Sequence, residues 1–218
     1  MRSILVMNPK GGCGKSTIAT NLAGYYAERK KNVVLVDYDP QASTMDWLAA
    51  RSEDRPKIHG IAAWKDAVRV PRDAEVTIVD SPAGLRDPQV LSEFLRRAQS
   101  VIIPLLPSPM DMRAASRFLS ELMALRRVVN QEVRIATVAN RMRDHTLAAL
   151  SLSEYLDTLR LPDGHKLSCL AVMRASQNYV HAAGRGLSIF EFARSATLQD
   201  REQWAPLLRW LNSSRSQP

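Results

Sequence analysis

Short, nearly continuous apolar runs recur along the chain at Ile4–Met7, Val33–Val36, Val76–Val79, Val101–Leu105, Val133–Val138 and Leu167–Val172. Between them lie segments with helical spacing of apolar residues. The first is Thr17–Arg29, in which Ile18, Leu22, Tyr25 and Tyr26 recur at that spacing; Thr44–Ala50, Val90–Ala98, Met110–Val129 and Thr146–Leu159 follow. Strands apolar on both faces, alternating with helices, predict a doubly wound, mostly parallel α/β sheet flanked by helices, with right-handed crossovers. Ligands of such sheets gather beyond the carboxyl ends of the strands. The strand ends near residues 8, 37 and 80 are therefore expected around one site. Leu198, Trp204, Leu207, Leu208 and Leu211 fall near one face of a final helix, Leu198–Leu211, expected to dock on the core. Residues 1–212 are expected to form a single domain and 213–218 a frayed tail.

Composition narrows the class. The 218 residues are 45% hydrophobic and 24% charged, enough for one α/β domain with a sizeable core. No run reaches the length of a membrane span, and the chain opens into a strand rather than a signal peptide. The two cysteines, Cys13 and Cys169, are far apart and read as reduced thiols of a cytoplasmic protein. The four histidines show no metal-ligand spacing. The net charge is +8. Residues 1–108 hold 15 basic and 12 acidic side chains, residues 109–218 hold 15 and 10, and in the second half the basic residues are almost all arginine. Such a surface attracts nucleic acid or anionic membrane without sequence information. A membrane-binding role for Leu198–Leu211 would call for more basic residues on its polar face than Arg201 and Arg209 supply.

The chemistry is concentrated at Pro9-Lys10-Gly11-Gly12-Cys13-Gly14-Lys15-Ser16-Thr17, between the first strand and the first helix. Glycines let successive N–H groups turn toward one point, and the helix N-terminus adds partial positive charge, so the segment is a phosphate cradle. Lys15 is placed to reach the β- and γ-phosphates and the Ser16 hydroxyl to bind Mg²⁺. The second strand ends in Asp37-Tyr38-Asp39-Pro40-Gln41, two carboxylates leaving one side of a strand. Asp37 is expected near the Mg²⁺ shell and Asp39 near the attacking water. The third strand ends in Asp80-Ser81-Pro82-Ala83-Gly84, a pattern in which Asp80 holds Mg²⁺ and the following loop senses the γ-phosphate. Each acidic strand end by itself is an ordinary turn or cap. Their order and spacing after Lys15 make the site.

Pro9 replaces the glycine of the ordinary phosphate loop, and Lys10 adds a second lysine. The resulting loop resembles the deviant Walker A motif of the ParA/MinD ATPases, and Asp37–Gln41 matches that family's D-x-D-P-Q motif residue by residue. Ser81 and Ala83 depart mildly from the family's usual Asp-Thr-Pro-Pro-Gly. The resemblance, nearest to small ParA-type partition proteins, implies a P-loop NTPase that uses ATP and Mg²⁺. Lys10, Lys15 and Asp39 would be catalytic, with Lys10 crossing to the partner's nucleotide in an ATP-dependent homodimer. Residues 10–17 would bind nucleotide, and Ser16, Asp39 and Asp80 would serve the metal. Asn140, after the fifth strand, resembles the family's adenine-reading asparagine, and also fits a simple turn. The proline-rich segment Pro104–Asp111 fits a dimer surface or a rigid connection equally.

The implied cycle is DNA partition. The ATP-bound dimer, or a polymer of it, coats DNA nonspecifically, and a centromere-binding partner stimulates a slow basal hydrolysis. The protein would then be cytoplasmic and nucleoid-associated when ATP-bound. With no segment ahead of the first strand, an additional DNA-reading domain is not expected. Arg141, Arg143, Arg174, Arg185 and Arg194 are the candidate DNA contacts, taken from arginine density alone. Cys13 is given no catalytic role, though a thiol beside phosphates could be oxidation-sensitive. The alternatives are a Min-like ATPase on membrane, a positioner of a protein assembly, an electron-transfer ATPase and a small-molecule synthase. The electron-transfer reading suffers because Cys13 is inside the phosphate loop.

Overall fold

The computed structural model describes residues 1–218. Seven strands form one sheet in the order β3-β2-β4-β1-β5-β6-β7, every neighbouring pair parallel. They are β1 (Arg2–Val6), β2 (Val33–Asp37), β3 (His59–Ala62), β4 (Val76–Asp80), β5 (Ser100–Leu105), β6 (Arg134–Met142) and β7 (Cys169–Arg174). The central strands are buried on both faces because helices cover both sides. α1 (Lys15–Ala27), α2 (Ser43–Ala49) and α8 (Leu198–Leu211) pack one face through Ile18, Leu22, Trp47, Trp204 and Leu207. α3 (Pro88–Arg96), α4 (Pro109–Met123) and α6 (Leu147–Thr158) pack the other through Leu91, Leu95, Phe118, Leu119 and Leu152. The short α5 (Arg126–Val129) and α7 (Gln177–Ala183) complete the set.

The alternation predicted from the apolar runs is therefore the architecture, with three differences. β3 is an additional edge strand; its half-exposed sequence, His59-Gly60-Ile61-Ala62, carries almost no apolar signal. The segment predicted as one helix over Met110–Val129 breaks at Leu125, whose backbone is extended. β6 runs on to Met142, so Asn140 and Arg141 lie within a strand rather than after it. The β6–β7 register shifts there, and Arg141 adopts φ +53°. This is the geometry of a bulge, which turns side chains at a sheet's end toward a site.

The tail is docked rather than frayed. Residues Ser214–Ser216 form a 3₁₀ turn whose Ser216 is fully buried. Ser100 Oγ donates to the Ser216 carbonyl at 2.6 Å, and Arg2 donates to Ser216 Oγ at 2.6 Å. The segment gives no apolar signal and is held by polar contacts, among them Arg134 donating to the Gln217 carbonyl and Ser216 Oγ to the Leu211 carbonyl. Within α8, Trp204, Leu207 and Leu211 are buried as expected, but Leu198 points outward.

Candidate functional site

The ends of β1, β2 and β4 converge because β2 and β4 are paired in register, with Asp37 opposite Asp80, and β1 pairs β4 with Val6 opposite Asp80. β1 lies at the centre of the sheet and the chain winds outward from it in both directions, so the loop after it sits over the crevice. That loop is held at several points. Asn8 Nδ2 donates to the Pro104 carbonyl at 2.7 Å, and Asn8 Oδ1 accepts from Lys10 N at 2.9 Å. Asn140 Nδ2 donates to the Cys13 carbonyl at 2.8 Å. Gly84 N donates to the Pro9 carbonyl at 2.7 Å, tying the 81–84 loop to the cradle. Gly14 has φ +99°, and a Cβ there would strike the Asn140 amide, so glycine is required on both counts. α1 begins immediately after it with no side-chain cap, leaving its first N–H groups free for an anion.

The two lysines of the loop have different surroundings. Lys15 is buried, and its Nζ is 3.3 Å from the Lys10 carbonyl, turned into the cradle. The Lys10 side chain is 45% exposed and its Nζ is 3.9 Å from Asp111 Oδ1 of α4. Sequence reasoning missed Asp111 as its neighbour, because four strands and three helices separate the two along the chain.

The carboxylates also separate. Asp37 is fully buried and saturated: Oδ2 accepts from Thr44 N at 3.1 Å and Thr44 Oγ1 at 2.5 Å, and Oδ1 accepts from Asp39 N at 2.9 Å. It braces the loop into α2 from a place opposite Asp80, beside the expected Mg²⁺ site. Asp39 is partly exposed and reaches the 81–84 loop, Oδ2 accepting from Ala83 N at 3.3 Å. Asp80 is buried, and neither carboxylate oxygen accepts a hydrogen bond of ordinary geometry. Burial pushes its pKa up to about 7, against the nearby Ser16 hydroxyl, which favours the charged form. A buried, unpaired carboxylate beside a serine hydroxyl and a phosphate cradle suits a divalent cation. No group of three or more His, Cys, Asp or Glu stands ready as a full metal cage. A Mg²⁺ ion here would draw on Ser16, Asp80 and nucleotide phosphates, which is how this hard ion is ordinarily held.

Cys13 contributes backbone only. Its thiol is buried and donates to the Lys10 carbonyl at 3.2 Å, and burial raises its pKa. The oxidation sensitivity considered for it is not supported by this setting.

A groove of about 640 Å³ opens beside Thr17, between the β6 bulge and the β7–α7 turn. Asn140, Arg141, Arg143, Arg174, Ser176 and Tyr179 are among its lining residues. It adjoins the cradle, where the base of a nucleotide would extend. Three of the arginines expected to contact DNA, Arg141, Arg143 and Arg174, thus line this one groove. Arg174 is corrected further: its guanidinium pairs with the buried Asp200 of α8 at 2.7 Å, which also accepts from Asn178 at 2.6 Å. That network fixes the turn from β7 into α7, a region with no motif in the sequence. Arg185 and Arg194 lie elsewhere, exposed on the segment leading to α8.

The family model described as "CobQ/CobB/MinD/ParA nucleotide binding domain" matches residues 4–189. The maintenance of carboxysome distribution protein A of Halothiobacillus neapolitanus is 27% identical over 207 residues, covering 91% of this chain and 91% of that protein. The chromosome-partitioning ATPase Soj of Thermus thermophilus is 49% identical over 53 residues, 24% of this chain and 21% of that one. Among solved structures, the MinD cell division protein of Aquifex aeolicus superposes with a TM-score of 0.70 at 17% identity, covering 96% of this chain and 97% of that chain.

Proposed function

This chain belongs to the CobQ/CobB/MinD/ParA nucleotide-binding family, and from that premise we propose that it is a positioning ATPase that dimerises on ATP, binds DNA nonspecifically and hydrolyses ATP when a partner protein stimulates it. The carrying observation is the division of labour between the two lysines of one loop. Lys15 is buried and committed to its own cradle, whereas Lys10 is half exposed with only a long contact to Asp111. An exposed lysine at the mouth of a phosphate site serves a nucleotide held by a second subunit. Lys15 and the loop N–H groups stabilise the γ-phosphate, Asp39 orients the attacking water, and Asp80 with Ser16 holds Mg²⁺. The ion supplies charge neutralisation to the phosphates, and the residues contribute positioning rather than covalent chemistry. Hydrolysis that waits for Lys10 of a partner subunit is slow in the monomer.

Two cargoes fit this cycle. Partition of a plasmid or chromosome, with a centromere-binding partner, is the reading drawn from the sequence motifs. Positioning of a protein assembly is favoured by the full-length similarity to a carboxysome distribution protein. Both share the nucleotide and DNA steps. The test is binding of random duplex DNA with ATP, with ADP and without nucleotide across a salt series, beside Lys15→Ala and Lys10→Ala. ATP-dependent, salt-sensitive binding lost in both variants, with nucleotide still bound by Lys10→Ala, supports the reading. DNA binding in no state, with ATP bound, sinks it.

A further inference from the structure

The arginines first considered for DNA divide between two places, and a different set of basic side chains gathers where α1 ends against α8. A groove of about 710 Å³ there is floored by Tyr25 and Phe190 and rimmed by Arg29, Arg201 and Arg209. The two rings pack edge to face at 5.1 Å, and the Arg29 guanidinium lies 3.6 Å from the Tyr25 ring centroid. Arg201 is fixed by donating to Thr197 Oγ1 and the Phe192 carbonyl, both at 2.9 Å. Burial lowers the pKa of Arg201 and the nearby Arg194 charge lowers it further, against the opposing charge of Glu28; Arg185 sits over Phe192 at 5.7 Å.

The acidic side chains of the same segments do not cancel this charge. Between residues 185 and 209 the carboxylates are Glu191, Asp200 and Glu202. Glu191 is consumed by a buried pair with Arg51, and Asp200 by Arg174. Glu202, and Glu28 just after α1, face solvent. Arg29, Arg185, Arg194, Arg201 and Arg209 form no ion pair. Burying the local carboxylates against other arginines leaves a concentrated positive field on this face. Guanidinium groups suit the phosphate oxygens of a polyanion, and a wide groove suits a duplex backbone read by charge rather than by sequence.

We propose that the α1–α8 groove, with Arg194 beside it, is the surface that grips the phosphate backbone of duplex DNA. This rests on the DNA-dependent reading above and gives it a location away from the nucleotide groove, where Arg141, Arg143 and Arg174 belong. The Arg194 and Arg209 side chains are not needed for the hydrogen bonds of this region, in which Arg194 takes part through its carbonyl alone, so their reversal tests the surface without dismantling it. The experiment measures binding of a random-sequence duplex by fluorescence anisotropy, with ATP and Mg²⁺ across a salt series, for the unmutated protein and Arg194→Glu/Arg209→Glu. Arg96→Glu/Arg126→Glu, on the groove between α3 and α5, is the control. Labelled-ATP binding and thermal melting check that both variants are folded.

The expected result for Arg194→Glu/Arg209→Glu is DNA binding weaker by at least about tenfold, with a salt slope shallower by about two, and unchanged ATP binding. DNA affinity retained there but lost in the control overturns the location and leaves the DNA reading intact. An unmutated protein that binds ATP but no DNA overturns both. Loss of binding to phosphatidylglycerol vesicles with DNA affinity unchanged makes the groove a membrane contact and overturns the proposal.

Discussion

The ends of β2 and β4 place two buried aspartates opposite each other in register, and they are treated in opposite ways. Asp37 is satisfied by three hydrogen-bond donors drawn from the loop that follows it. Asp80 has none, although it is equally buried. A buried carboxylate without donors is costly, so the fold bears that cost only where a ligand relieves it. The same residue type at the same depth is a structural brace on one strand and an unpaired carboxylate on the next. Charge and burial alone do not distinguish them; the supply of donors does.

The strongest way to sharpen the contrast is Asp80→Asn. Mg²⁺-dependent ATP hydrolysis should fall on the order of 10²–10³-fold, as when one preorganised electrostatic contact is removed. The metal-free protein should melt no lower than the unmutated one, because the substitution removes an unpaired charge. Hydrolysis that persists at the original rate would detach Asp80 from the metal. Asp37→Ala should do the reverse. It strands the buried Thr44 hydroxyl and two backbone N–H groups, so urea unfolding should show a loss of about 3 kcal/mol. A variant as stable as the original would mean that the loop into α2 does not depend on this brace.

A smaller effect separates two roles for Asn140. As a clamp on the Cys13 carbonyl it preorganises the phosphate loop. Asn140→Ala should then weaken ATP and GTP alike, by about tenfold, the loss of about one hydrogen bond to a loop that must be ordered. Loss confined to ATP would make it a base reader instead.

The smallest effect is on pH. The folded-state pKa of Asp80 is raised from 3.8 to about 7. From about pH 4 upward the unfolded chain gives up this proton while the folded one retains it, so rising pH favours unfolding until the folded pKa is passed. In metal-free protein, the melting temperature of Asp80→Asn relative to the original should therefore increase between about pH 4 and 7 and level off above. Saturating Mg²⁺ and ATP should remove the trend. A flat difference across that range would show that Asp80 ionises freely in the fold.

The phosphate loop was legible because its chemistry is local. Gly12, Gly14, Lys15 and Ser16 act through consecutive backbone groups, and consecutive groups are what a sequence records. The strand-end aspartates were legible as a set, but not their division into brace and cation site, since Thr44 and Asp39 N–H are supplied by a loop whose path is not written in its composition. The groove beside Thr17 was legible only through Asn140. Its wall is a register shift in β6 joined to a turn held by Asp200, some 60 residues further on.

What the sequence by itself determined is the alternation of strands and helices, the cradle and the identity of the groups offered to phosphate. These follow from side-chain period and from neighbours within a few residues. Only the tertiary structure decided which arginines stand free. Arg174 and Arg51 are neutralised by Asp200 and Glu191, while Arg29, Arg194, Arg201 and Arg209 are not. The reason is physical: an isolated arginine is the same group everywhere along a chain, and its availability depends on which carboxylate the fold brings within ion-pair distance and how deeply the pair is buried.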